Sequence, residues 1–144
     1  MKPLFNTEKY SGSDEPLRYM PCIKLYSNGY ITISSKLAKA LSMEGDIEYV
    51  RFFTHGDTEP APVFITTSAE HLSLGTAWRQ PDGSYIIQRD NRQPLSPAII
   101  ESMSSYFGLT MEGNDRYLSA KTSIPVSFDG ETHLCIAVKR FIRK

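Results

Sequence analysis

Short turn sequences between β-prone runs place the strongest constraint on the fold of this chain. Asn28-Gly29 interrupts the β-prone residues 22–33, and Asp129-Gly130 joins two further β-prone runs. Asn, Asp and Gly tolerate the positive φ angles that tight hairpin turns require. Pro81-Asp82-Gly83 has the residue types of a turn and precedes the strand-like residues 84–88. The sequence therefore predicts a series of antiparallel hairpins.

Two short helices are predicted between these strands. Residues 34–43 begin with serines that can cap free backbone amides, and Gly45 follows them as a stop signal. Ser96 followed by Pro97 marks a second helix start, with Gly108 at its end. The apolar residues that recur at helical spacing are Leu37 and Leu41 in the first helix, and Ile100, Met103 and Phe107 in the second. The predicted fold class is α+β, mainly antiparallel β with two short helices.

The order hairpin, helix, strand, strand occurs twice along the chain. Residues 28–31 are similar to residues 82–86, and residues 42–46 are similar to residues 110–114. The order indicates an internal duplication, although chance would also produce it in an α+β protein. We predict a poorly ordered N-terminal arm over residues 1–18 and one globular domain over residues 19–144. The duplication would divide that domain into two intertwined repeats, 19–70 and 75–144.

The charge of the chain excludes two classes of protein. Its 144 residues include 16 Lys and Arg against 16 Asp and Glu, so the formal net charge is zero. A strongly basic nucleic-acid coat and an acidic disordered tail are both excluded by this balance. No window approaches the roughly 18 apolar residues of a membrane helix, and the first residues lack a signal-peptide pattern. We expect a cytoplasmic protein with no membrane association.

Candidate catalytic and metal-binding residues are few and isolated. His55, Asp57 and Glu59 share one loop, and His133 stands two positions from Cys135, but neither set has the spacing of a zinc site. No nucleophile elbow or phosphate-binding glycine loop occurs. Cys22 and Cys135 are expected to be buried unpaired thiols, with one disulfide as the alternative. We expect no metal, no cofactor and no enzymatic activity.

Residues 22–54 resemble the AbrB/MazE-like swapped-hairpin family of bacterial transition-state regulators and antitoxins. The pattern that carries the resemblance is a glycine, an alternating strand, a short helix with spaced leucines, and Gly-Asp. The matching residues are Gly29, Ile31, Ile33, Leu37, Leu41, Gly45 and Asp46. This chain has Tyr30 where the family commonly has arginine, and Ser34 where proline is common. The resemblance implies a small DNA-binding regulator or antitoxin-like protein that acts as a homodimer or as a pseudo-dimer within one chain.

Cations on the two predicted halves are the candidate nucleic-acid contacts, since Lys and Arg neutralise phosphates. The candidates are Lys24, Tyr30, Lys36 and Lys39 in the first half, and Arg79, Arg89 and Arg92 in the second. Residues 139–144 form a further basic segment, which could equally be a charged edge strand. The alternative for the seven residues is ordinary solvated charge. The alternative for the whole chain is a non-enzymatic protein-interaction or structural module that has a protein partner and no role with DNA.

Overall fold

The structure is a computed structural model, and it describes residues 15–140. The helices are α1 (Glu15–Tyr19), α2 (Ser35–Ala40) and α3 (Pro97–Phe107), with a single 3-10 turn at Glu70–Leu72. The strands are β1 (Cys22–Leu25), β2 (Ile31–Ile33), β3 (Ile47–Glu48), β4 (Val50–Thr54), β5 (Val63–Thr67), β6 (Thr76–Arg79), β7 (Tyr85–Gln88), β8 (Tyr117–Phe128) and β9 (Glu131–Arg140). The architecture is mainly antiparallel β with short helices, as predicted.

The start of the chain differs in part from its prediction. Residues 1–14 of the expected arm lie outside the described residues, as do residues 141–144 of the basic C-terminal segment. Residues 15–18, however, belong to α1, which contacts α2 and β1. The structure therefore places the last four residues of the expected arm in a helix. Five helical residues are too few to produce an apolar period in the sequence.

All the strands belong to one sheet that curls back on itself. The strand order is β3-β6-β7-β2-β1-β8-β9-β5-β4, and every neighbouring pair is antiparallel. The first and last strands of this order, β3 and β4, are separated in the chain only by Tyr49. A single stretch of chain, residues 47–54, therefore forms both ends of the sheet and brings them together.

The strand order reads the same after the two halves of the chain are exchanged, provided that β3 and β4 are counted as one interrupted strand that joins the two ends of the order. In this exchange β1 corresponds to β6, β2 to β7, β3 and β4 together to β8, and β5 to β9. The first half supplies β1 to β5 and the second half supplies β6 to β9, and each hairpin has strands of the other half as neighbours. β2 pairs with its counterpart β7, with Thr32 opposite Ile86 at the centre of the pair. Both residues stand three positions after a turn glycine, Gly29 or Gly83. β5 likewise pairs with its counterpart β9, with Ile65 opposite Ile136.

The two hairpin turns have the same hydrogen bonds. Gly29 N–H donates to the carbonyl of Tyr26 at 2.9 Å, and Gly83 N–H donates to the carbonyl of Gln80 at 2.9 Å. Both glycines have the positive φ that the turn sequences predict, 107° at Gly29 and 89° at Gly83. Each turn packs at the entry of the other half's helix. Leu95 N–H donates to the carbonyl of Gly29 before α3 begins, and Gly83 lies against Ser35 at the start of α2.

The helix ends show which residues of the two halves correspond. The Ser34 and Ser96 hydroxyls cap α2 and α3. Ser42 and Gly108 follow the helices at φ 60° and 72°, in the left-handed conformation that ends a helix. Ser42 therefore corresponds to Gly108. The sequence match of residues 42–46 with residues 110–114 instead pairs Ser42 with Thr110, which is two positions later in the chain than Gly108.

Two apolar clusters stabilise the sheet. The larger fills the inside of the curl and contains the inward-facing apolar side chains of β1, β2 and β7, together with the buried Ile100 of α3. Met103 and Phe107 pack against it but are only partly buried. The smaller cluster lies between β5 and the β8–β9 hairpin and is built on Phe64, Val126, Cys135 and Ala137. Cys22 and Cys135 are both buried and unpaired, as predicted.

Candidate nucleic-acid interface

A surface groove of about 850 Å³ brings three of the predicted cations together. It runs between α2 and the turn that joins β6 to β7, with Lys36 and Lys39 on one wall and Arg79 on the other. All three side chains are exposed. The groove therefore combines charges from residues that are 40 positions or more apart in the sequence.

The position of these cations follows from the packing of α2. Leu37 and Ala38 are the buried residues of this six-residue helix, so Lys36 and Lys39 must point away from the core. The opposite wall is held by the β6–β7 turn, where a Cβ added to Gly83 would lie 3.5 Å from the Ser35 Cβ. This close seating fixes the turn beside the first residue of α2.

Two carboxylates in the same groove limit its positive charge. Glu44 and Asp82 line it with the three cations, which leaves a formal charge of plus one. The Asp82 carboxylate accepts hydrogen bonds from the Ser84 hydroxyl at 2.6 Å and the Ser84 N–H at 2.9 Å. These bonds lower the pKa of Asp82, so its carboxylate stays charged at more acidic pH than an ordinary aspartate. The same bonds occupy one of its two oxygens.

A second groove, of about 690 Å³, lies on the other side of the β6–β7 turn. It shares Ser35 and Asp82 with the first groove and adds Arg18, Tyr26 and Gln80 to the lining. Sequence reasoning did not select these three residues. Arg18 lies on α1, which no sequence pattern revealed, and Tyr26 and Gln80 are ordinary polar residues at a hairpin turn.

The structure does not bring Lys24 or Tyr30 to the first groove. Lys24 is only 7% exposed on the outer face of β1. Its Nζ lies 4.7 Å from the ring centre of Tyr26 and 5.4 Å from that of Tyr117. This burial over two aromatic rings leaves almost none of the ammonium group for a phosphate. Tyr30 is partly buried after the first hairpin turn, where its carbonyl accepts from Tyr26 N–H.

Arg89 and Arg92 lie in the loop after β7, apart from the groove. Both are exposed, and Arg92 N–H donates to the Arg89 carbonyl in a tight turn. The Arg92 guanidinium stacks over the Trp78 ring at 4.1 Å. Trp78 and Arg79 are successive residues of β6 and so point to opposite faces of the sheet. The seven predicted residues therefore lie in three places: three line the α2 groove, two lie in the loop after β7, and two lie at the first hairpin.

A small apolar crevice of about 220 Å³ lies elsewhere, between α3 and β4. Its walls include Phe52, Met103, Tyr106 and Phe107. The Tyr106 hydroxyl donates to the carbonyl of Ala61 and so ties α3 to the loop before β5. Tyr106 itself is 45% exposed.

No family model matches this chain, and no match was found among curated proteins or solved structures.

The part of the chain that the structure describes contains neither a group of metal ligands nor a membrane-spanning helix. Within residues 15–140, no three His, Cys, Asp or Glu side chains are grouped closely enough to hold a metal ion. His133, a candidate ligand from the sequence, stacks on Phe128 with 4.2 Å between ring centres. No helix in this part of the chain has the length and apolar character to cross a membrane.

Proposed function

We propose that this protein is a small, non-enzymatic DNA-binding protein, regulator-like or antitoxin-like, that contacts phosphates through the α2 groove. The observation that carries the proposal is the convergence of Lys36, Lys39 and Arg79 in one exposed groove. Clustered cations are the basis of phosphate recognition, because binding releases the counterions condensed on DNA. The resemblance of residues 22–54 to the swapped-hairpin family supports the same function.

The chemistry of the groove favours phosphate contacts over base reading. A lysine is a point charge on a flexible stem, which suits phosphate oxygens better than the fixed pattern of a base edge. The net charge of plus one in the groove and the zero net charge of the chain give little further attraction. We therefore expect affinity in the non-specific range of roughly 10⁻⁴–10⁻⁶ M at physiological salt.

The proposed assembly is a pseudo-dimer formed by an internal duplication within one chain. Four features support it. The strand order is unchanged when the two halves are exchanged, the two hairpin turns have the same hydrogen bonds, and a serine caps the helix of each half. Each hairpin turn also packs at the start of the other half's helix. Because residues 47–54 join the two ends of the sheet, the fold needs no strand from a second chain. Light scattering coupled to gel filtration should give the monomer mass of 16.3 kDa. A stable species of twice that mass would contradict the pseudo-dimer.

Binding itself is tested by fluorescence anisotropy with a labelled duplex of mixed sequence. Three phosphate contacts predict a slope of about −2.7 for log affinity against log salt, a loss of about 40-fold between about 50 and 200 mM. Absence of binding at the lower salt concentration would contradict the proposed DNA binding.

A protein-interaction module is the second candidate function. The observation that favours it is the apolar crevice at α3, where Phe52, Met103 and Phe107 are only partly buried. Partly buried aromatic residues and methionine are typical of interface cores. A partner that remains bound after nuclease treatment, and is lost in Met103→Glu with the melting temperature unchanged, would support this function over DNA binding.

A further inference from the structure

The exchange symmetry of the fold creates a second position that corresponds to the α2 groove. That position lies at the start of α3, beside the turn of the first hairpin. If the two halves had kept the same binding surface, the three groove cations would have counterparts there. The helix caps and turn glycines identify those counterparts residue by residue.

The counterparts of the groove cations carry no positive charge. Lys36 stands two positions after the cap Ser34, and Ala98 stands two positions after the cap Ser96. Lys39 corresponds in the same way to Glu101, which is exposed and acidic. The remaining cation, Arg79, stands four positions before Gly83, and its counterpart before Gly29 is Leu25, which is fully buried. At the position that corresponds to the α2 groove, its three cations are thus replaced by alanine, glutamate and leucine.

The backbone of the second half also occupies this position. Residues 89–96 form the connection from β7 to α3, whereas Ser34 alone forms the connection from β2 to α2. A Cβ added to Gly29 would lie 2.2 Å from the Leu95 carbonyl oxygen, whereas one added to Gly83 meets nothing closer than 3.5 Å. The Gly29 turn is therefore covered by the backbone at Leu95. The corresponding Gly83 turn is not covered in this way and lines the α2 groove.

We infer that the chain binds nucleic acid through the α2 groove alone, as one molecule per site, and has no preference for two-fold symmetric sequences. This inference rests on the proposed DNA-binding function. A protein that reads a symmetric site must present the same contacts twice, related by the two-fold axis of its fold. The backbone of this chain retains that relation, but its charges do not.

The experiment compares two short duplexes of equal length and base composition, one with a palindromic sequence and one without. Affinity and stoichiometry are measured by anisotropy and by titration at low salt. The matched variant is Arg89→Ala/Arg92→Ala, which removes two exposed cations from the second half. Lys36→Ala/Lys39→Ala removes two from the α2 groove, and a thermal melt of each variant confirms that it is folded.

We expect equal affinity for the two duplexes and one chain bound to each. Arg89→Ala/Arg92→Ala should retain affinity within about twofold, while Lys36→Ala/Lys39→Ala should lose about tenfold or more. Tighter binding of the palindrome, two chains per duplex, or equal losses in the two variants would overturn the inference and leave DNA binding standing. If the native chain binds neither duplex at low salt, the proposed function fails, and the inference fails with it.

Discussion

Cys22 is fully buried in β1, and its burial changes the chemistry of the thiol. Its exposed fraction is 0%, and desolvation raises the pKa of the Cys22 thiol from 9.0 to about 12, against a smaller lowering by Ser34. In the unfolded chain this thiol loses its proton near pH 9, whereas the folded chain keeps the proton. The stabilisation is therefore complete below pH 9 and is lost as the pH rises toward 12.

The first prediction is that Cys22→Ala makes stability less sensitive to alkali. Between about pH 9 and pH 11 the native chain should lose up to about 1.4 kcal/mol per pH unit from this one proton. In the variant, the free energy of unfolding should decrease less steeply with pH, because the contribution of the Cys22 thiol is absent. The contribution of Tyr85, whose pKa is also raised, chiefly by burial, should remain. Urea unfolding at about pH 8 and pH 10.5 measures both slopes. Equal slopes for the two proteins would show that the thiol titrates normally in the fold.

Lys24 shows why single residues of the site were hard to predict. A lysine on a short strand is usually solvated, and the sequence around β1 offers no sign that this one is covered. The covering rings are Tyr26, two positions away, and Tyr117, on the distant strand β8. A contact between β1 and β8 depends on tertiary pairing, which local sequence does not encode. Lys36 and Lys39, in contrast, are exposed because of helical spacing, which the sequence does contain.

Among the elements, the two helix caps are both serines, but they accept different hydrogen bonds. The Ser34 hydroxyl is buried and accepts from Leu37 N–H at 3.2 Å and from Cys22 N–H at 3.0 Å. The Ser96 hydroxyl accepts only one such bond, from Ala98 N–H at 3.3 Å. Ser34 therefore caps α2 and also fixes the helix to the first strand of its own half.

The second prediction compares the two caps directly. Ser34→Ala should cost about 2–3 kcal/mol, because it leaves two buried N–H groups without an acceptor. Ser96→Ala, the matched control, should cost about 0.5–1 kcal/mol, the usual cost of an exposed cap. Denaturant unfolding of both variants against the native chain gives the two values. Equal costs would mean that the bond to Cys22 contributes nothing to stability.

Elements that depend on local chemistry were predictable, and elements defined by distant pairing were not. The Asn28-Gly29 and Asp82-Gly83 turns, both serine caps and the apolar face of α3 all follow from residues within a few positions of one another. The division of residues 47–54 between the two ends of the sheet does not. Nothing within this segment distinguishes Ile47, which pairs with β6, from Val50, which pairs with β5.

For the whole molecule, the sequence indicated a repeated order of elements but not how the halves interlock. The pairing of β2 with β7 and of β5 with β9 arises between residues far apart in the chain, and it is this pairing that brings Arg79 opposite α2. Three of the seven predicted site residues meet in the groove for this reason. The groove is thus a property of the assembled fold and not of either half alone.

The central claim, that the groove cations neutralise phosphates, is tested most directly by the salt dependence of binding. The measurement is the affinity for a mixed-sequence duplex across about 50–200 mM salt for the native chain and two variants. Lys36→Ala/Lys39→Ala removes groove cations, and Lys121→Ala/Lys139→Ala removes two exposed lysines that do not line the groove. We predict that the groove variant reduces the slope of log affinity against log salt by about 1.8, and that the control leaves it unchanged. An unchanged slope in the groove variant, or an equal reduction in the control, would contradict the account.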